Sequence, residues 1–234
     1  LMIAFDKKVP RLPALDPTRT LVAVYDTDGT GMPPPVVPWL VRITRLDNGG
    51  KDELLPLVDD KMTSADVGWS ETPPDAATLK RLRDNAAAAL KRLAGWTSLV
   101  EVQIDEANGD PTPTKVGVGD NTLAATLGDD ETLVVTLSRG GKVVRRATIE
   151  MYKNKDEKPA SFMGDSCSYR PFLASAFLDP AKTTLYIDVR FRFNEECSQQ
   201  PVHWIVWPFA GEDPDPSAAL AKDAVAITGS TIAP

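Results

Sequence analysis

Histidine is almost missing from this 234-residue chain, which has one, and cysteine occurs twice. A single histidine, His203, confines every histidine-dependent mechanism to one residue, flanked by Val202 and Trp204 in a stretch that reads as a buried strand. No Gly-x-Ser-x-Gly elbow, His-Glu-x-x-His helix, phosphate-binding loop or dinucleotide glycine fingerprint is present. The usual signatures of serine hydrolases, zinc proteases and nucleotide-binding enzymes are therefore lacking. No apolar run approaches the ~20 residues that cross a bilayer, so no transmembrane segment is expected. With 26 basic against 33 acidic residues and a formal charge of -7, no dense Lys/Arg cluster offsets phosphate charge, and nucleic acid is excluded as an expected partner. Leu1 to Phe5 is apolar without a basic flank, so no signal peptide is legible, and the expectation is that one has been removed.

The two cysteines sit in polar settings, Gly164-Asp165-Ser166-Cys167-Ser168 and Asn194-Glu195-Glu196-Cys197-Ser198, that read as turns. Too few further Cys or His residues exist to complete a metal site, so a Cys167–Cys197 disulfide is the expectation, with two unrelated thiols as the alternative. Such a bridge would close a loop of about 31 residues and contribute roughly 3.7 kcal/mol on the chain-entropy model. Oxidation places the expected compartment outside the cytoplasm: periplasm, cell surface or secreted.

What the chain does contain is mostly strand signal. Thr20 to Tyr25 is β-branched and aromatic, bounded by Asp-Pro and by Asp-Thr-Asp-Gly, and Trp39 to Thr44 alternates with period two. The four prolines of Gly31 to Pro38 forbid helix between them. From Asp75 the period changes: Leu79, Leu82, Ala86, Ala89, Leu90 and Leu93 recur every three or four residues, which predicts an amphipathic helix capped by Asp75 and stopped at Gly95. Strand patterns resume at Val100 to Ile104 and Leu123 to Leu127. Glu131 to Leu137 and Val143 to Met151 flank Gly140-Gly141 as a hairpin. Leu185 to Phe193 alternates cleanly, with Leu185, Ile187, Val189, Phe191 and Phe193 assigned to the core, and Val202 to Trp207 is apolar on both faces. A short helix from Pro216 to Lys222 is expected in the Asp/Pro/Ala-rich tail. Leu15-Asp16-Pro17-Thr18-Arg19-Thr20-Leu21 echoes Leu178-Asp179-Pro180-Ala181-Lys182-Thr183-Thr184-Leu185, and a strand, a loop and a Trp-containing strand follow each. Both a repeated unit and two independent uses of good turn residues fit that echo.

Three stretches invite a functional reading beside a structural one. Asp26-Thr27-Asp28-Gly29-Thr30-Gly31 places Asp26, Asp28 and Thr30 as oxygen ligands for calcium, although it lacks the rest of an EF-hand loop and also reads as an Asp/Gly turn. Pro33, Pro34 and Pro35 can present an extended segment to a partner or serve as a stiff connector. Among the tryptophans, Trp69 beside Gly68 and Ser70 is the candidate for an exposed contact, whereas Trp39 and Trp204 read as core. Acidic residues are numerous enough to form a glycosidase-like pair, yet they cluster in loops where solvation explains them.

Thr132 to Leu137, Tyr169-Arg170-Pro171-Phe172, Leu185 to Phe193 and Trp204-Ile205-Val206-Trp207-Pro208-Phe209 together resemble a family of bacterial proteins of unknown function classed as secreted. That likeness covers about two-thirds of the chain and implies secretion; it supplies no catalytic residue. The early Asp26 to Pro38 loop departs from the family pattern by having more prolines and fewer aromatics. Leu12 to Tyr25 is also similar to single β-propeller blade repeats.

The resulting expectation is an α+β protein of mainly antiparallel β sheets with one amphipathic helix packed on a sheet face. Residues 1–210 are expected as one domain, with β subdomains 1–70 and 97–210 flanking helix 75–95 as the alternative, and 211–234 as a tail. The expected function is a noncatalytic secreted or periplasmic protein that binds another macromolecule or belongs to an envelope assembly, with no obligate cofactor. A carboxylate-dependent hydrolase of envelope polysaccharide is the alternative, and a calcium-stabilised adhesion module is third.

Overall fold

A computed structural model describes residues 11–27, 39–58, 75–104, 114–128, 132–150, 152–154, 167–192 and 202–210. Strand dominates them, in three antiparallel sheets with one helix, and the chain divides into two compact units, Leu1–Leu99 and Val100–Pro234.

In the first unit β1 (Ala14–Leu15), β2 (Leu21–Thr27), β3 (Trp39–Arg45) and β4 (Glu53–Pro56) form a meander, and β5 (Thr97–Ser98) adds to the free side of β1. Helix α1 (Ala76–Arg92) belongs to this unit. Its start is fixed as the sequence implies: the Asp75 carboxylate accepts the backbone N–H of Thr78 at 2.7 Å, relieving one of the orphan donors of the first turn. Lys91 and Arg92 occupy the last turn, where cations favour the negative end of the helix dipole, and Gly95 takes the left-handed φ of 80° that ends the segment. Leu82, Ala86, Ala89 and Leu93 are its buried stripe. Ala89, Leu93 and Trp96 pack against Ala14, Ala23, Val41 and Ile43, so the helix lies on one sheet face. The other face is buried as well: Leu15, Val22, Val24, Leu40 and Thr44 are each at most 5% exposed.

The second unit is a two-layer sandwich. One layer runs β10 (Lys142–Ile149), β9 (Leu133–Arg139), β8 (Asn121–Leu127), β7 (Thr114–Val118). The other runs β11 (Tyr152–Asn154), β12 (Cys167–Leu178), β13 (Thr184–Arg192), β14 (Val202–Pro208), with β6 (Val100–Val102) also paired to β12. Period-two alternation aims Leu123, Ala125, Leu133, Val135, Leu137, Ala147 and Ile149 of the first layer at Leu173, Ala176, Leu185, Ile187, Val189, Phe191, Ile205 and Trp207 of the second. The β9–β10 turn is the expected tight hairpin, with φ of 55° at Gly140 and 80° at Gly141. Two consecutive positive angles match the strand twist and are open at low cost only to glycine.

The strands of the β9–β10 hairpin run closer to those glycines than the sequence expectation, since pairing begins at Arg139 and Lys142. Cys167 is a clearer difference. It opens the twelve-residue strand β12, opposite Asn154, rather than lying in a turn, because Arg170 to Leu178 pairs with β13 across one register shift between Leu173 and Ser175, and Cys167 to Tyr169 extends the strand by pairing with β11. Cys197, the Pro216 to Lys222 segment, Pro33, Pro34, Pro35 and Trp69 lie outside the described residues.

Candidate functional site

The echoed Asp-Pro segments fold alike, and they organise the polar chemistry of both units. Asp16 follows β1 and Asp179 follows β12, and each directs its carboxylate back into its own hairpin loop. Asp16 accepts N–H bonds from Thr18, Thr20 and Leu21 at 3.1, 2.8 and 2.7 Å, together with the Thr18 hydroxyl. Asp179 accepts the N–H groups of Thr183 and Thr184 at 2.6 and 3.0 Å and the Thr183 hydroxyl at 2.8 Å. Their backbones match too: Arg19 N–H bonds Asp16 O at 3.0 Å and Lys182 N–H bonds Asp179 O at 2.9 Å, while Arg19 and Lys182 take left-handed φ values of 57° and 54°. Burial alone opposes ionisation of Asp16, but the converging hydrogen bonds from Thr18, Leu21 and Thr20 outweigh it and hold the carboxyl below its ordinary range.

The likeness continues beyond the loops. Leu15 pairs Val22 and Thr27 pairs Trp39 in one copy; Leu178 pairs Leu185 and Arg190 pairs Val202 in the other, at one constant sequence offset. The third strand closes identically, by Leu46 N–H to Thr20 O at 2.9 Å and Phe209 N–H to Thr183 O at 2.8 Å. Even the fourth strand corresponds, β5 beside β1 and β6 beside β12.

Asp26, the described member of the proposed calcium set, stands at the far end of β2 opposite Leu40. Its carboxylate accepts Arg42 Nε, and the same guanidinium donates from Nη1 to Asp52 at 2.8 Å. All three side chains are part-buried. Burial works against the Arg42 charge, but Asp52 and Asp26 more than compensate and raise its pKa. A cation at Asp26 would therefore compete with an arginine already bound there. Asp28 and Thr30 lie outside the described residues. Among the described residues no cluster of three or more His, Cys, Asp and Glu is spaced to hold a metal ion.

His203 lies on β14 opposite Val189, and burial pushes its pKa down to about 4, so the ring is neutral at physiological pH. Beside it, Trp204 is 2% exposed and meets Phe177 at 6.3 Å between ring centroids; it is core, as its apolar neighbours imply. Trp96 is core as well, with the Arg92 guanidinium 5.5 Å above its ring. Asp188, also 2% exposed, accepts Arg190 Nε at 3.0 Å.

Several contributors were not legible from spacing. Arg92 makes a bidentate pair with Glu53, at 3.0 Å from Nε and 2.9 Å from Nη2, tying the helix end to β4. Arg139 and Arg145 of the β9–β10 hairpin donate to the carbonyls of Phe209 and Pro208 at 3.0 and 3.4 Å, latching the end of β14. Each joins residues distant in sequence, so only the packing of folded elements brings them together.

No protein-family model, curated protein or solved structure matches the chain. Among the described residues no helix is long and apolar enough to cross a membrane.

Proposed function

We propose that this is a noncatalytic extracytoplasmic protein that binds another macromolecule or forms part of an envelope assembly. The observation that carries the reading is the employment of its buried polar groups. Asp16 and Asp179 organise hairpins, Asp26 and Asp52 clamp Arg42, and Asp188 pairs with Arg190. A catalytic carboxylate has to face a substrate with its charge and hydrogen bonds free to change during reaction; those of Asp16 and Asp179 are taken up by their own loops and those of Asp26 and Asp52 by Arg42. His203 sits neutral and part-buried on a strand, which suits packing rather than proton transfer.

Export is the second half of the proposal. It rests on the secreted-family resemblance and on the expectation, from the sequence, that Cys167 pairs with Cys197. The test is intact mass of protein taken from its native cell fraction under nondenaturing conditions, alkylated with and without reduction. Two labels only after reduction, in an envelope or secreted fraction and with a stoichiometric macromolecule co-purifying, is the expected result. Two labels without reduction overturns the compartment. Turnover of envelope polysaccharide that a single carboxylate-to-amide change abolishes, with folding intact, overturns the noncatalytic assignment in favour of a hydrolase.

A further inference from the structure

We draw no further inference here: the strongest candidate, the hydroxyl-rich outer face of the β7–β10 sheet where Thr122, Thr126, Thr136, Ser138 and Thr148 surround Arg146, carries nothing because no feature of the structure shows what covers it.

Discussion

The β1–β2–β3 meander and the β12–β13–β14 meander share a backbone and differ in what fills their faces. Against α1 the first copy presents Ala14, Ala23 and Val41. At the equivalent places the second copy carries Phe177, Tyr186 and Trp204, all buried. Small residues let a helix approach the sheet closely, whereas three aromatic rings occupy that volume themselves. The opposite faces diverge in chemistry. Where the second copy sets Val189 and Ile205 into the sandwich core, the first has Asp26 and Arg42 as an ion pair. One strand-and-turn plan thus tolerates two cores, because register is set by the Asp loops and backbone pairing while side chains on each face answer only to their cover.

Exchanging equivalents should break the symmetry hardest. Trp204→Ala removes a ring that is 2% exposed and is expected to cost about 4 kcal/mol, against about 2 kcal/mol for Val41→Ala at the matching site. Ala23→Tyr, which gives the first copy the residue of the second, should lose about 3 kcal/mol by overpacking beneath α1. Urea unfolding followed by circular dichroism measures all three. If Ala23→Tyr is neutral, the helix does not need close approach, and the contrast between the copies is not one of volume.

The loops should respond alike but unequally. Asp179→Ala strands three donors, of which the Thr184 amide is buried, and is expected to cost about 3 kcal/mol, and Asp16→Ala about 2 kcal/mol because water reaches its slightly more open carboxylate. Hydrogen exchange at the amides of Thr20 and Leu21, and of Thr183 and Thr184, reads each loop separately. Protection lost in one copy only, for each variant, is the expected pattern. Equal loss in both copies after either change would mean the units do not open independently.

These differences also mark where the sequence was readable. Period and capping revealed β2, β3, the hairpin, β13, β14 and α1, since each rests on local spacing: Asp75 sits three residues before its Thr78 donor, and Gly140-Gly141 fills a two-residue turn. The Asp-Pro echo pointed to the two matching loops, with a repeat and independent use of good turn residues both left open, because the loop chemistry is local too. Short strands such as β1 and β5 carry too few residues for a period, and β12 is not legible along its whole length, because polar Cys167-Ser168 opens it, Pro171 lies within it and its strand character comes from its partners. The Asp26–Arg42–Asp52 clamp and the Arg92–Glu53 pair depend on register between strands and helix, which no linear spacing encodes.

A pH titration sharpens the contrast at the position where the first copy has Leu40 and the second His203. Because burial lowers the folded-state pKa to about 4 from 6.5, the unfolded chain binds the proton first as pH falls. The stabilisation held by a neutral ring is complete above pH 6.5 and disappears on the way down to about 4. The loss should reach about 2 kcal/mol by pH 5. His203→Leu, the residue of the first copy, should flatten stability between pH 7 and pH 5 in urea titrations. A slope unchanged by the substitution would assign the pH dependence elsewhere.

The smallest expected effect lies at the two loop tips. Arg19 and Lys182 hold left-handed angles that cost a residue bearing a Cβ about 1 kcal/mol, a conformation asparagine adopts more readily. Arg19→Asn and Lys182→Asn should each stabilise by a few tenths of a kcal/mol without touching the core, since both side chains are exposed. Asparagine also keeps a side chain, so the unfolded chain gains less freedom than it would with glycine. Equal small gains at both tips, read as paired shifts in urea midpoint, would fix the turn as a shared backbone requirement. A gain at one tip and a loss at the other would show that one of these cations is held by contacts that its counterpart lacks, and the likeness of the copies would stop at the hairpin backbone.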